Sequence, residues 1–105
     1  MHRMPAVYIF ASDRNGTIYI GVASNLLGRI HLHHTGALDG FTKRCDVVRL
    51  VWFERHDATE AAIMREKQLK NWRRTWKLDL IEADNPRWSD LAEDLGFKPL
   101  PSSRT

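Results

Sequence analysis

The sequence predicts a small α+β domain in which a three-stranded antiparallel sheet is flanked by helices, in the order β-β-α-β-α-α-α. Two β-rich runs separated by the turn-forming residues 13–16, Asp-Arg-Asn-Gly, indicate a β-hairpin. A third β-rich run follows at residues 47–54, and a long helical pattern begins near Asp57. Because a hairpin joins antiparallel strands, helices packed around such a sheet make an α+β fold.

Local sequence signals set the expected bounds of each element. Ser24 or Asn25 is suited to cap the first helix, and Gly36 is suited to end it. The run Asp57-Ala58-Thr59-Glu60 has the spacing of a capping box. Gly96 closes the last helix, and Asn85-Pro86 ends the one before it. The expected elements are strands over residues 6–11, 17–22 and 47–54, and helices over 26–34, 57–72, 73–83 and 89–95.

Length and composition predict a single domain. The chain has 105 residues, 43% hydrophobic and 28% charged, which is ordinary globular composition. We assign the domain to residues 1–97 and expect a disordered tail over 98–105, where two prolines and two serines cluster. The single cysteine, Cys45, excludes an intrachain disulfide. No run approaches the roughly 18 apolar residues of a membrane span, and no signal-peptide core follows Met1. We therefore expect a cytoplasmic protein without a membrane partner.

The distribution of charge is more informative than its total. The net charge of +3 is too small to identify a partner. Residues 65–77, however, contain six basic side chains and one acid, Glu66. This local density favours a polyanion, although a solvated helix face is the more common cause of such a run.

Tyr8 and Tyr19 could cooperate if the hairpin loop has an even number of residues, because both side chains then point to the same face of the sheet. A four-residue loop also places Gly21 opposite Tyr8. A residue without a side chain there is expected to leave the phenol uncovered and open to a ligand. The alternative is that both tyrosines are ordinary half-buried strand residues.

Arg29 and His33 lie one helical turn apart and share a helix face. A guanidinium can bind a phosphate through two parallel hydrogen bonds, and an imidazole can transfer a proton near neutral pH. The alternative is a solvated pair near a helix C-terminus, where cations are favoured.

Glu66 is unusual because it falls on the apolar stripe of its helix, between Ala62 and Leu69. A carboxylate at such a position is costly unless it is paired or binds a cation. An ion pair with Lys70 at i+4 would satisfy it. A single carboxylate would also suit Mg²⁺, which keeps most of its water ligands.

Three tryptophans, Trp72, Trp76 and Trp88, could stack on nucleobases. Trp72 and Trp76 recur with Leu69 and Leu80 at helical spacing, which is more typical of a hydrophobic core. We therefore expect these tryptophans in the core.

The triplets Ala6-Val7-Tyr8 and Tyr19-Ile20-Gly21, followed by Arg29, His33 and Glu66, resemble the GIY-YIG nuclease superfamily over about residues 5–91. The chain looks like the small stand-alone members and is similar to the N-terminal nuclease domain of the bacterial excision-repair incision subunit. The first triplet departs from Gly-Ile-Tyr but retains its tyrosine. Other matching stretches are Gly40-Phe41-Thr42, Glu66-Lys67-Gln68-Leu69-Lys70-Asn71-Trp72 and Asn85-Pro86-Arg87-Trp88-Ser89-Asp90-Leu91.

The resemblance implies a metal-dependent endonuclease that hydrolyses phosphodiester bonds in DNA, with the strand preference open. Its catalytic residues would be Tyr8, Tyr19, Arg29, His33 and Glu66. Glu66 would hold one divalent ion, Mg²⁺ or Mn²⁺. Tyr8 would help to activate water, with His33 as a proton acceptor, while Tyr19 and Arg29 orient the phosphate. Because a free phenol has a pKa of about 10, nearby cations are expected to lower it.

The resemblance also implies nucleic acid, most readily DNA, as the partner. The residues expected to follow its backbone are Lys43, Arg44, Lys67, Lys70, Arg73 and Arg74. Asn85 is the first candidate for the asparagine that many superfamily members carry after the metal-binding glutamate, and Asn71 is the second. A repair or mobile-element protein is a further expected partner. The alternatives are a non-catalytic nucleic-acid-binding module and a repair adaptor on the same fold.

Overall fold

Three antiparallel strands form the sheet in the computed structural model, which describes residues 5–35 and 47–97. Strand β1 lies in the centre, between β2 and β3. This arrangement confirms the predicted α+β class. The elements in chain order are β1 (Ala6–Ala11), β2 (Ile18–Ala23), α1 (Leu26–Thr35), β3 (Arg49–Arg55), α2 (Thr59–Lys70), α3 (Arg74–Asp84) and a 3₁₀ helix (Glu93–Leu95).

Every residue of β1 is buried, because both faces of the sheet are covered. On one face, β1 packs within a cluster of apolar residues that includes side chains from α2 and α3. On the other face, it packs within a second cluster that includes side chains from α1 and the C-terminal segment. The first cluster is centred on Val7, Ile9, Ala62, Leu69, Ile81 and Trp88, and the second on Tyr8, Phe10, Leu26, Ile30, Leu50 and Ala92.

The hairpin loop between β1 and β2 has four residues, which confirms the even-numbered loop. The Ser12 N–H donates to the Thr17 carbonyl at 3.0 Å, and the Gly16 N–H donates to the Asp13 carbonyl at 2.9 Å. The resulting register pairs Tyr8 with Gly21 and Phe10 with Tyr19. Tyr8 and Tyr19 therefore point to the same face of the sheet.

Helices α1 and α2 begin in different ways. Asn25 accepts a hydrogen bond from the Gly28 N–H at 3.3 Å, as expected of a residue that caps α1. The predicted capping box at Asp57 is wrong, because α2 begins two residues later. Its N-cap is Ala58, in an extended conformation with no side-chain hydrogen bond.

Helix α2 ends at Lys70 rather than at Trp72. The backbone N–H groups of Asn71 and Trp72 donate to the carbonyls of Gln68 and Leu69, which tightens the last turn. Arg73 is extended, with φ −65° and ψ 152°, so the chain changes direction before α3 begins. The predicted separation into two helices is confirmed.

The segment after α3 covers the outer edge of β3. The Leu50 N–H donates to Asp90 Oδ1 at 3.1 Å, and the Leu91 N–H donates to the Leu50 carbonyl at 2.7 Å. These bonds occupy backbone groups that an edge strand would otherwise expose. The helix predicted over residues 89–95 is therefore shorter than expected, since only Glu93–Leu95 is helical.

Some of the predicted features fall outside the described residues. The tail 98–105 and the residues Lys43, Arg44 and Cys45 lie there, as does the side chain of His33. Within residues 5–35 and 47–97, no helix combines the length and apolar character that crossing a bilayer requires.

Candidate active site

The Tyr8 phenol lies against the backbone of β2 at Gly21. A Cβ atom at position 21 would be 2.5 Å from Tyr8 Oη and 2.6 Å from Cζ, closer than side chains tolerate. Tyr8 is only 1% exposed, and its ring packs edge-on against Phe10 with 5.1 Å between centroids. The predicted pairing with Gly21 is confirmed, but the prediction of an uncovered phenol is wrong. The glycine makes room for the phenol itself, which is packed in that space.

Tyr19 lies beside Tyr8 on the same face. The ring centroids are 6.5 Å apart and the ring planes are inclined by 36°. Tyr19 is half-buried, whereas Tyr8 is buried. The hairpin register therefore brings the two tyrosines together and leaves Tyr19 as the more accessible one.

The environment of Tyr8 keeps its hydroxyl protonated. Burial raises the pKa of Tyr8 to about 12, the largest of the effects on it. The charge of Arg29 and its hydrogen bond to the phenol lower the pKa, while Tyr19 and Glu66 raise it. The expectation that neighbouring cations depress this pKa below its ordinary value is therefore wrong, because burial and the two acidic groups outweigh Arg29. The same interactions link Tyr8 electrostatically with Arg29, Tyr19 and Glu66.

Arg29 reaches the tyrosines because α1 follows β2 after a short connection. It lies one turn into the helix and is half-buried. Its guanidinium forms the hydrogen bond to the Tyr8 phenol. His33 lies one turn further along the backbone of α1.

Glu66 lies on α2, which packs against β1 and β2. Its side chain is only 14% exposed, and Oε2 lies 2.8 Å from Lys70 Nζ. The i+4 ion pair is therefore present, and it coexists with the electrostatic effect of Glu66 on Tyr8.

The carboxylate of Glu66 fits the divalent ion that the resemblance implies. No cluster of three or more His, Cys, Asp or Glu side chains occurs in the part of the chain that the structure describes. A single carboxylate suits Mg²⁺, which is commonly held by one or two carboxylates with water and substrate phosphate as the remaining ligands. A divalent ion would replace the half-exposed ammonium of Lys70 as the partner of this mostly buried carboxylate.

The four basic residues predicted along α2 and at the start of α3 have different surroundings. Lys70 pairs with Glu66, and Lys67 is exposed. The Arg74 guanidinium donates to the carbonyls of Asn15 and Gly16 at 3.0 and 2.7 Å, which ties α3 to the hairpin loop. The Arg73 guanidinium instead lies over the Trp76 ring. Arg74 therefore holds two elements together, and Arg73 is the more available of the two arginines.

The side chain of Asn85 is buried and hydrogen-bonded inside the protein. Its Nδ2 donates to the carbonyls of Val51 and Ser89 at 3.0 and 2.9 Å, and its Oδ1 accepts from the Ser89 N–H at 3.0 Å. The side chain thereby fixes the chain after α3 against β3. Asn71, the second candidate, is exposed at the C-cap of α2.

The surroundings of Trp76 differ from those expected from the sequence. Trp88 is buried as predicted, but Trp76 is 50% exposed, so the prediction that it belongs to the core is wrong. The guanidinium carbons of Arg65 and Arg73 lie 5.4 and 5.5 Å from the ring centroids of Trp72 and Trp76. The i, i+3 spacing of Arg73 and Trp76 was the available signal for this arrangement.

Comparison with known proteins gives matches over most of the chain. The family model of the GIY-YIG catalytic domain matches residues 4–79, which include Tyr8, Tyr19, Arg29 and Glu66. A UPF0213 protein of Staphylococcus aureus is 33% identical over 76 residues, which cover 72% of this chain and 92% of that protein. A UPF0213 protein of Staphylococcus saprophyticus is 35% identical over 68 residues, covering 65% of this chain and 83% of that one.

The fold is also shared with a solved structure. The solution NMR structure of the UPF0213 protein BH0048 from Bacillus halodurans matches with a TM-score of 0.54 and 23% sequence identity. The match covers 90% of this chain and 99% of that one. Since the family model spans most of the chain and includes the residues that interact with Tyr8, this protein belongs to the GIY-YIG nuclease family.

Proposed function

We propose that this protein is a metal-dependent endonuclease that hydrolyses phosphodiester bonds in DNA. The observation that carries the proposal is the pair of neighbouring phenols, Tyr8 and Tyr19, with the Arg29 guanidinium hydrogen-bonded to Tyr8 and the charge of Glu66 acting on the same phenol. A cation, two phenols and one carboxylate are the groups needed to bind a phosphodiester and to hold a divalent ion beside it. Membership of the GIY-YIG family supports the same chemistry.

Glu66 would hold the divalent ion, Mg²⁺ or Mn²⁺. When bound, the ion would polarise the scissile phosphate and stabilise the leaving oxygen. Lys70 would then be released from Glu66, and its ammonium could contact the nucleic-acid backbone.

Arg29 would bind the non-bridging oxygens of the phosphate and stabilise the negative charge that develops there. Its hydrogen bond to Tyr8 fixes the guanidinium before substrate arrives. Preorganised charge of this kind lowers the barrier, because little reorganisation remains for the transition state.

The Tyr8 oxygen accepts the hydrogen bond from Arg29 and so holds that guanidinium in place. Because Tyr8 keeps its own proton, it would act as a hydrogen-bond donor to a phosphate oxygen rather than remove a proton from water. In the proposal, His33 accepts the proton of the attacking water, since imidazole titrates near neutral pH. Tyr19, half-buried beside Tyr8, would contact the phosphate.

The setting of this reaction is also part of the proposal. We expect the protein to act in the cytoplasm on DNA, together with a repair or mobile-element protein. Lys67 is exposed on α2 and would follow the DNA backbone with Lys43, Arg44 and Arg73.

A nuclease assay on the full chain tests the proposal. Labelled single-stranded DNA, duplex DNA and RNA are incubated with Mg²⁺ or Mn²⁺, and in parallel with EDTA. Cleavage that requires the ion is expected, and Glu66→Gln should abolish it while the far-UV circular dichroism stays unchanged. The control is Glu60→Gln, which neutralises an exposed carboxylate on the same helix and should cleave normally.

Two results would contradict the proposal. Full cleavage by Glu66→Gln, or by the wild type in EDTA, would exclude the assigned metal site. Salt-sensitive binding without cleavage under either ion would instead identify a non-catalytic nucleic-acid-binding module, and the absence of both would favour the adaptor.

A further inference from the structure

An exposed aromatic surface lies between the end of α2 and the first turn of α3. The Trp76 ring is half exposed, and it meets the Trp72 ring edge-on with 6.0 Å between centroids and 85° between planes. Arg65 lies over Trp72, and Arg73 lies over Trp76. We call these four residues, Arg65, Trp72, Arg73 and Trp76, the tryptophan corner.

The exposure of Trp76 is not required by the packing of the fold. Trp52 in β3 and Trp88 after α3 are buried in the core, and Trp72 packs partly against it. Leaving half of an indole in water forgoes a large apolar contribution to folding. A ring held at the surface in this way is typical of a binding position.

The two arginines of the corner differ in how they are held. Arg65 Nε donates to Glu54 Oε1 at 3.1 Å, and its Nη1 donates to Gln68, so this guanidinium is fixed and its charge is partly compensated. Arg73 is exposed and lies over Trp76. Arg65 thus supports the corner from the Trp72 side, and Arg73 supplies positive charge at the accessible ring.

The combination of an exposed indole and guanidinium matches single-stranded nucleic acid. Bases stack on aromatic rings, and arginines contact the adjoining phosphates. The base pairs inside a duplex have both faces covered by their neighbours, so a surface ring can stack only on an unpaired base. A charged peptide would bind less well here, because it offers no flat π surface that can stack on Trp76.

We propose that the tryptophan corner binds an unpaired nucleobase, stacked on Trp76, with Arg73 contacting a flanking phosphate. This inference rests on the proposed function and specifies the strand form of its substrate. Arg65 of the corner directly precedes Glu66 on α2, so the proposed base site adjoins the helix that carries the proposed metal ligand.

Binding in EDTA tests this proposal without cleavage. Fluorescence anisotropy is measured with the full chain and with 5′-labelled 12-mers of DNA and RNA of one mixed sequence, and with the matching DNA duplex. Trp76→Ala should weaken binding to the single strands by roughly 5- to 100-fold, the range expected of base–aromatic stacking. Duplex binding should change less than about twofold, because duplex contacts are made to phosphates. The DNA and RNA arms identify which sugar the corner accepts.

Two further variants distinguish the loss of base stacking from the loss of exposed apolar surface in general. Met64→Ala removes another exposed apolar side chain, 72% exposed on α2, and should bind single strands as the wild type does. Trp76→Phe retains a ring and should recover most of the lost affinity. Acrylamide quenching of tryptophan fluorescence should fall when a single strand is added to wild type, and not when it is added to Trp76→Phe.

The outcomes distinguish this inference from the proposed function. If Trp76→Ala binds single strands as tightly as wild type, or loses duplex binding equally, the inference is overturned, whether or not the protein cleaves DNA. If the variant loses single-strand affinity alone, the inference stands even when no cleavage is found. Wild-type dimers that Trp76→Ala dissociates, with unchanged nucleic-acid binding, would identify the corner as a self-association surface and also overturn it.

Discussion

The Tyr8 ring occupies the space that a side chain at position 21 would need. The two residues are paired across β1 and β2, and Tyr8 Oη lies 2.5 Å from the position of a Cβ at Gly21. The absence of a side chain at position 21 therefore determines where the phenol lies. Since Arg29, Tyr19 and Glu66 all act on that phenol, Gly21 supports the whole candidate site.

Gly21→Ala should displace Tyr8 and reduce cleavage by at least about tenfold, because a misplaced group in a preorganised site loses much of its effect. Thermal unfolding should also shift to lower temperature, since the ring must leave a buried position. The control is Val22→Ala, whose side chain belongs to the opposite face of the sheet and should lower stability without a matching loss of cleavage. Cleavage by Gly21→Ala at the wild-type rate would show that the position of Tyr8 is unimportant.

The raised pKa of Tyr8 predicts a loss of stability in alkali. The phenol titrates at about 10 when exposed in the unfolded chain and at about 12 in the folded protein. The stabilisation is complete below pH 10 and is lost as pH rises from 10 towards 12, because the unfolded chain releases its proton first. The total effect is about 2 to 3 kcal/mol.

Urea unfolding at pH 9 and pH 11.5 measures this effect. The free energy of unfolding should fall more steeply with pH in wild type than in Tyr8→Phe, which lacks the titrating group. Absorbance at 295 nm should show the ionisation of one of the two tyrosines displaced to higher pH. Identical pH dependence in the two proteins would mean that Tyr8 is not buried in solution.

The neighbouring arginines Arg73 and Arg74 should respond differently to alanine. Arg74→Ala removes two hydrogen bonds from a charged donor to the hairpin carbonyls and should destabilise the protein by about 1 to 3 kcal/mol. Arg73→Ala should leave stability nearly unchanged, because Arg73 is exposed.

Salt titration of DNA binding completes this comparison. Arg73→Ala should flatten the log–log slope by roughly 0.7 to 0.9, the value for one phosphate contact. Arg74→Ala should leave the slope unchanged, since its guanidinium is engaged by the hairpin. The reverse result would make Arg74 the DNA-binding arginine and Arg73 the structural one.

The asparagines Asn85 and Asn71 provide a second matched pair. Asn85→Ala removes the partner of the buried Val51 carbonyl and of the Ser89 backbone groups, and should cost about 2 to 4 kcal/mol. Asn71→Ala, at an exposed cap, should cost less than about 1 kcal/mol. Chemical denaturation of the two variants gives these values. If Asn85→Ala is as stable as wild type but inactive, Asn85 has a catalytic role instead.

Much of the fold was predictable from local sequence signals. The hairpin and the three main helices follow from turn residues, β-rich runs and helical periodicity, which depend on near neighbours in the chain. The turn residues left the loop length open, and the four-residue loop of the structure sets the register that pairs Tyr8 with Gly21. Glu66 was recognisable because a carboxylate on an apolar stripe breaks the pattern of its own helix.

Tertiary structure decided what the local signals left open. Whether the space at Gly21 stays empty depends on the rotamer of Tyr8 and on Phe10, and whether the phenol pKa falls or rises depends on its burial. The pattern of Trp72 and Trp76 could not show which ring reaches the core, because that depends on where α2 ends and how α3 turns away from it. Periodicity along one helix determines which side chains share a face, whereas burial and the electrostatic effects that follow from it are set by the elements packed against that face.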